Sequence, residues 1–238
     1  IAYVTRLPIL QSISTPKNPG TYKIRSTIPL YVKFSNLVNV SGTPQLQLFN
    51  PNRKINYVSG SGTDTLIFNY TVQAGDTGIL SNSTVPILLN GGNITSTDGT
   101  NTQIQLPTAD APFSGTSIED KGIELDGIAP TITNITTSTD VTAIDGNTYL
   151  SAGKMLMIDV TFSENIVVNG SPELKLTAGE GEDRKTLNAI FQSVNNDIAS
   201  FTLNVPSSPS FNETQVSIES KTCLTDAEIF DIPGNQLG

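Results

Sequence analysis

Two stretches of this chain carry the same strict alternation of apolar and polar residues, and they align with each other without a gap. The alternating apolar positions are Ile28, Leu30, Val32 and Phe34 in the first stretch and Leu156, Ile158, Val160 and Phe162 in the second. Each stretch then reaches a Gly-x-Pro-x-Leu-x-Leu motif, which begins at Gly42 and at Gly170. A side-chain period of two is that of a β-strand. The sequence therefore predicts two copies of one β-rich unit.

The repeat extends in both directions from these stretches. Leu7-Pro8 aligns with Ala129-Pro130, and the strand that contains Phe68 aligns with the one that contains Phe201. Turn residues such as Ser59-Gly60-Ser61-Gly62 separate the apolar runs. Short strands at this spacing, without helical periodicity, are typical of β-sandwiches. We therefore predict an all-β chain with one domain at residues 7–127 and a second at residues 128–238.

The first repeat resembles a family of tandem immunoglobulin-like repeats found in very large bacterial, and some algal, surface and adhesin-like proteins. The resemblance is carried by the segments Tyr22 to Ser35, Gly42 to Leu48, Tyr57 to Thr63, Leu66 to Val72, Gly75-Asp76 and Leu89 to Ile94. It covers nearly all of residues 7–127. In residues 128–238 it is looser, because Ser193 to Asp197 replaces the Ser-Gly-Ser-Gly-Thr segment and Gly75-Asp76 has no clear counterpart. The resemblance implies two immunoglobulin-like β-sandwiches, an extracellular location and no catalytic activity.

The two repeats end differently. The first continues into a predicted strand at Gln103 to Pro107 and a final strand at Gly122 to Asp126, and the second repeat has no counterpart of either. We therefore predict that the second sandwich lacks its terminal strand, which leaves apolar core and a strand edge exposed. Residues 1–6 precede Leu7-Pro8, so they stand where the last strand of a preceding domain would be.

This mismatch leads to the hypothesis of donor-strand complementation. In this hypothesis residues 1–6 of one copy fill the gap in the second domain of the next copy, head to tail, which builds an open filament. The donor residues are Ile1, Ala2, Tyr3, Val4, Thr5 and Arg6. One alternative is that the chain is a window of a longer array of repeats. Another is that the second domain completes itself or is a shorter sandwich.

Charge and composition argue against several functions. The net charge of −9 opposes binding to nucleic acid and to anionic membrane surfaces, and no apolar run reaches the length of a membrane-spanning helix. Cys223 is the only cysteine and cannot form an internal disulfide, so we expect it to be a small buried side chain. The sequence starts at Ile1 without a signal-peptide pattern, which favours a processed or excised chain or an expressed fragment.

The sequence offers no catalytic residue. Histidine is absent, which removes the usual base of serine and cysteine triads. Glycoside hydrolysis needs two carboxylates that face each other across a cleft, whereas the acidic residues here lie mostly in turns such as Gly179 to Asp183. We therefore predict that the chain is not an enzyme, and a carbohydrate-active enzyme is the third-ranked hypothesis.

N-linked glycans are the expected modification. Asn69 alternates with inward Phe68 and Tyr70 and should point to solvent, and Asn39 and Asn82 lie in loop-like stretches. The acceptor sequons are at Asn39, Asn69, Asn82, Asn93, Asn134 and Asn212. Calcium candidates near the linker are Glu124, Asp126, Asp140 and Asp145. Their spacing is not diagnostic of a calcium site, so we expect no cofactor.

Two functional hypotheses remain ahead of the enzyme. The first is a structural subunit of an extracellular filament or surface array whose partners are copies of itself. The second is an adhesin fragment that binds a carbohydrate or a cell-surface receptor. Sugars usually stack on aromatic rings, so an exposed tyrosine cluster around Tyr31 or Tyr57 would favour the second hypothesis.

Overall fold

The computed structural model describes residues 7–97, 104–138, 141–144, 147–150, 153–178, 185–207, 216–217 and 224–237. The chain forms two compact units, unit 1 (Ile1–Ile128) and unit 2 (Ala129–Gly238). Apart from one short 3₁₀ helix, every regular element of the described part is a β-strand, which confirms the predicted all-β fold class. In the part of the chain that is described, no helix is long and apolar enough to span a membrane.

The described part of unit 1 forms ten strands in two sheets. The strands are β1 (Leu10–Ser14), β2 (Gly20–Lys23), β3 (Thr27–Ser41), β4 (Gln45–Asn50), β5 (Lys54–Ser59), β6 (Thr63–Thr71), β7 (Thr77–Ile79), β8 (Ser81–Leu88), β9 (Asn93–Ser96) and β10 (Ile123–Asp126). The larger sheet has the order β1-β3-β6-β5-β4-β8, with β9 paired to the second half of β3. The smaller sheet has the order β2-β10-β7.

The alternation read from the sequence determines which residues form the core of unit 1. In β3 the residues Ile28, Leu30, Val32 and Phe34 are fully buried, and β6 contributes Leu66, Phe68 and Tyr70. The two strands are antiparallel, so that Leu30 lies opposite Phe68 and Ile28 opposite Tyr70. Because neighbouring strands place opposed residues on the same face, the two inward rows pack side by side.

The described part of unit 2 forms nine strands. They are β11 (Ile132–Ser138), β12 (Val141–Ile144), β13 (Asn147–Leu150), β14 (Met155–Phe162), β15 (Ile166–Ala178), β16 (Lys185–Asn195), β17 (Ile198–Asn204), β18 (Val216–Ser217) and β19 (Leu224–Asp231). The larger sheet has the order β11-β14-β17-β16-β15-β18, with β19 paired to β15. β12 and β13 pair only with each other in the described part of unit 2.

The aligned strands of the two units pair in the same way. β14 is antiparallel to β17, with Ile158 opposite Phe201, as β3 is antiparallel to β6. Leu156, Ile158, Val160 and Phe162 are buried, as the sequence repeat predicts. Both units are therefore all-β structures that share one arrangement of core strands.

Two local predictions are wrong, and the sequence does not predict one short 3₁₀ helix. The segment at residues 104–107 is not a strand, because it forms a single bridge, from Gln105 to Ile9, and Pro107 has no N–H for further pairing. A 3₁₀ helix at Ile118–Lys121 ends at Gly122, whose φ of 61° is left-handed; four residues are too few for periodicity to indicate a helix. Asn39 and Asn82 lie in strands β3 and β8 rather than in loops.

Candidate functional site

Strand β10 is the last strand of unit 1. It lies between β2, to which it is parallel, and β7, to which it is antiparallel. Its side chains at Ile123 and Leu125 enter the core, at 0% and 2% exposure, while Glu124 faces outward. Backbone hydrogen bonds from Gly20 to Gly122 and from Leu80 to Ile123 fix both of its neighbours to it. A strand at the end of the repeat therefore completes both a sheet and the core.

The segment that precedes β10 covers the outer edge of β1. Ile13 donates its backbone N–H to the Thr116 carbonyl at 2.9 Å, and Thr116 donates to the Gln11 carbonyl at 3.2 Å. Ile104 and Ile118 from the same segment are buried in the core. Under this cover Leu10 and Ile13 of β1 are only 8% and 0% exposed.

Unit 2 differs at the aligned positions. β11 pairs with β14, and no described strand covers its other edge. Ile132 and Ile135, which align with Leu10 and Ile13, are only partly buried. Leu237 of unit 2 corresponds to Ile104, because it donates its N–H to the Ile229 carbonyl at 2.8 Å as Ile104 does to the Ile94 carbonyl at 3.3 Å, and it packs against the core. The described part of unit 2 contains no counterpart of the buried side chains of Ile118, Ile123 and Leu125. The predicted donor residues 1–6 and Cys223 lie outside the described residues.

A second feature of unit 1 is a buried carboxylate at Asp76, which is 3% exposed. Its Oδ1 accepts from Arg53 Nε at 3.1 Å and Nη2 at 2.5 Å, and its Oδ2 accepts from the Tyr70 hydroxyl and from the Gln73 N–H at 2.8 Å. The Asp76 carbonyl accepts from the Gly127 N–H at 2.6 Å. This cluster therefore joins the turn between β4 and β5, strand β6 and the turn before β7 to the residue after β10.

The protonation of the cluster follows from these contacts. Burial alone would raise the pKa of Asp76, but hydrogen bonds from Arg53, Tyr70 and the Gln73 backbone hold that pKa below its ordinary value. Burial, together with Asp76, raises the pKa of Tyr70, and the hydrogen bond to Asp76 raises the pKa of Arg53. A carboxylate with four donors and a lowered pKa is held as an ion, which suits a structural anchor better than a general base.

A shallow groove opens on the outer side of β4 and β8. It has a volume of about 460 Å³, and its lining residues are Gln47, Leu48, Phe49, Asn52 and Ser83. The side chain of Phe49 is 75% exposed. The pairing of β4 with β8 shifts register between Leu46 and Leu48 and again between Leu48 and Asn50. Such irregularities change the direction of side chains, and the second one contains the exposed Phe49.

The aromatic residues named from the sequence do not form an exposed cluster. Tyr31 and Tyr57 are both partly buried, the Tyr57 ring packs edge-on against Phe68, and its hydroxyl accepts from the Ser61 N–H. Among the residues with described side chains, the exposed aromatic is instead Phe49, which was not predicted. The available signal was the alternation itself, because inward Leu46 and Leu48 place Phe49 on the outer face.

The structure gives different surroundings to the predicted glycan acceptors. Asn39, Asn69 and Asn134 are exposed on strands, and Asn93 is partly buried. Asn82 is 8% exposed; its Oδ1 accepts from the Ile118 N–H at 3.0 Å, and its Nδ2 donates to the Ser83 carbonyl at 3.1 Å. Asn212 lies outside the described residues.

We expect folded material from a host that attaches N-linked glycans to carry them at Asn39, Asn69 or Asn134 and never at Asn82. A glycan on the buried Asn82 Nδ2 would displace the bond from Nδ2 to the Ser83 carbonyl, and it would have to turn the amide outward, away from the Ile118 N–H of the 3₁₀ helix. Glycopeptide mass spectrometry of the secreted, folded protein measures occupancy at each site. Asn69 is the matched control, because it lies in the same unit on a strand with its side chain exposed. Occupied Asn82 in folded material would contradict the expectation.

Two of the four calcium candidates lie in the described part of the chain. Glu124 Oε2 accepts from the Thr21 hydroxyl at 3.3 Å, and Asp126 Oδ1 accepts from the Ile128 N–H at 3.2 Å. Asp140 and Asp145 lie outside the described residues. The expectation that the chain binds no calcium stays a prediction.

Comparison with known proteins leaves the family open. No family model matches the chain, and no curated protein matches it in sequence. Among solved structures, the chain is similar to a fragment of the I-band of titin, I67-I69, with 10% sequence identity and a TM-score of 0.34. That match covers 98% of this chain and 66% of the titin fragment, so this chain spans just under two thirds of the fragment's length.

Proposed function

We propose that the chain is a non-enzymatic structural subunit of an extracellular filament or surface array, in which residues 1–6 of one copy complete unit 2 of the next. The observation that carries the proposal is the difference between aligned core positions. Leu10 and Ile13 are closed off in unit 1, whereas Ile132 and Ile135 remain partly exposed in unit 2. The extracellular setting rests on the resemblance to surface repeats.

The energetic reason for completion is the hydrophobic effect. Fully burying one aliphatic side chain contributes about 1.5–3 kcal/mol relative to leaving it exposed. In unit 1 the segment after β9 buries four such side chains of its own, and it covers β1 as well. These side chains are Ile104, Ile118, Ile123 and Leu125. A strand that supplied even two of them to unit 2 would therefore bind with a substantial driving force.

Residues 1–6 fit the position of β10 by register. Because Leu7-Pro8 aligns with Ala129-Pro130, Ile1 aligns with buried Ile123 and Tyr3 with buried Leu125. Ala2 then takes the outward position of Glu124. The donated segment thus places Ile1 and Tyr3 at the inward positions, and Val4 takes the half-buried position of Asp126.

The acceptor in unit 2 is the strand that corresponds to β2. Carried back from Ile28 and Leu156 without a gap, the alignment places Tyr22 of β2 at Leu150 of β13, and Leu125 of β10 lies beside Tyr22 in parallel register. One edge of β13 pairs with β12, and no described strand occupies the other edge. In the proposed complex Tyr3 lies beside Leu150 of the next copy. Such a contact is head-to-tail and builds an open filament.

The test compares the full chain with two single variants, Tyr3→Glu and Ala2→Glu. Sedimentation velocity measures the size of the assemblies, and negative-stain electron microscopy shows their form. We expect the unaltered chain to form linear assemblies, Tyr3→Glu to remain monomeric because it buries a charge, and Ala2→Glu to assemble normally. Ala2→Glu is the matched control, because its aligned residue is already an exposed glutamate.

A deletion of residues 1–6 completes the design. Assemblies that persist after the deletion would overturn strand donation, as would an unaltered chain that stays monomeric at every concentration. Equal loss of assembly in Tyr3→Glu and Ala2→Glu would overturn the proposed register. A peptide of residues 1–8 added to the deleted chain should raise the melting temperature of unit 2, because a ligand that binds only the folded state stabilises it.

A further inference from the structure

We propose that the groove around Phe49 is a binding site for a neutral saccharide. This site is distinct from the strand acceptor of unit 2, since all of its residues lie on β4, on the turn that follows β4, and on β8 of unit 1.

The exposed ring of Phe49 is the first observation. An aromatic ring that is 75% exposed has little contact with its own domain, so burial within unit 1 does not account for it. The face of such a ring is electron-rich and attracts the weakly positive C–H groups that cover one face of a hexose. A phenylalanine also has no polar atom of its own, so this contact depends on stacking alone.

The polar residues of the groove are the second observation. Gln47 Nε2 donates to Asn52 Oδ1 at 3.1 Å and to the carbonyls of Leu48 at 2.8 Å and Arg53 at 3.3 Å. Asn52 is therefore held in place by its oxygen. Within the described structure its Nδ2 has no partner, and neither does Gln47 Oε1. The groove thus presents a fixed amide donor and a fixed amide acceptor, which suit the hydroxyl groups of a sugar.

The charge of the groove selects among ligands. All five lining residues are uncharged. The adjacent Arg53 directs its guanidinium to Asp76, at 2.5 Å and 3.1 Å. The groove therefore offers no positively charged side chain to pair with an anionic ligand, which favours a neutral sugar over an acidic one. The volume of about 460 Å³ lies within the range of small-molecule sites and is large enough for a mono- or disaccharide.

Saturation-transfer difference NMR on the full chain tests the proposal. The probes are glucose, galactose, mannose, N-acetylglucosamine, maltose and cellobiose, with glucuronate as the charged counterpart of glucose. We expect saturation transfer to at least one neutral sugar and none to glucuronate. Phe49→Ala should weaken that affinity at least about fivefold, and Phe49→Tyr, which keeps the ring, should retain it.

Val58→Ala is the control for loss of an exposed apolar side chain elsewhere in the same unit, since Val58 is also largely exposed. It should leave sugar binding unchanged, and all three variants should melt at the temperature of the unaltered protein. The proposal is overturned if no neutral sugar receives saturation, if glucuronate binds as well as glucose, or if Phe49→Ala still binds. A change in sedimentation on Phe49→Ala without sugar binding would instead assign the ring to a protein contact.

Discussion

Replacing Asp76 with alanine is expected to lower the free energy of unfolding of unit 1 by about 3 kcal/mol. The variant removes a buried carboxylate that accepts from Arg53, from Gln73 and from the Tyr70 hydroxyl. The hydroxyl is left buried without its acceptor, which adds a desolvation penalty to the lost hydrogen bonds. Urea unfolding of the full chain measures the change, followed through the amide signals of unit 1 in two-dimensional NMR spectra.

Asp64→Ala is the matched control for this prediction. Asp64 is also an acidic residue of unit 1, and it pairs with Lys33 at 3.8 Å, but both side chains are about half exposed. Exposed pairs of this kind contribute about 0.5 kcal/mol or less. Equal destabilisation by Asp64→Ala and Asp76→Ala would show that the buried cluster has no special role in stability.

Acid provides an independent check on the same cluster. The pKa of Asp76 is lower in the folded state than in the unfolded state, so its contribution to stability is fully present above the unfolded value of about 4. That contribution is lost as the pH falls through the folded pKa. The stability difference between the unaltered protein and Asp76→Ala should therefore be constant from about pH 7 to pH 5 and shrink below about pH 4. A difference that stays constant down to pH 2 would contradict this assignment.

The strand pattern could be predicted from the sequence because it depends on local alternation. Residues such as Leu30 and Phe68 are inward in the structure, as their spacing indicates. The Asp76 cluster could not be predicted in the same way. Arg53 and Asp76 are 23 residues apart, and only the pairing of β5 with β6 and the turn before β7 bring them together.

At Asn82 and Phe49 the residue type predicts the wrong exposure. An Asn-Ser-Thr sequence suggests an exposed acceptor, but Asn82 turns inward because its amide oxygen accepts from the first residue of the 3₁₀ helix. A phenylalanine suggests core, but Phe49 follows inward Leu48 and lies on the outer face. In both cases the position on the strand determines exposure, and the residue type does not.

Replacing Ile123 with alanine is the second prediction with a large expected effect. Ile123 is fully buried on β10, and truncation of a buried isoleucine leaves a cavity, so we expect a loss of about 3 kcal/mol in the free energy of unfolding of unit 1. Ile79→Ala is the matched control. It removes the same atoms on the neighbouring strand β7, but Ile79 is 45% exposed and should cost less than about 1 kcal/mol.

The outcome of this pair bears directly on strand donation. Strand donation requires that β10, with which residues 1–6 align, contributes to the free energy of unfolding of unit 1. Ile123 is the residue of β10 with which Ile1 aligns. If Ile123→Ala lowers the free energy of unfolding no more than Ile79→Ala does, β10 contributes little to the stability of unit 1. A donated strand in the same position would then not stabilise unit 2 either. If the expected difference is found, Ile1→Ala should weaken assembly between copies while leaving the stability of unit 1 unchanged. The same truncation at two aligned positions would then affect folding in one case and association in the other.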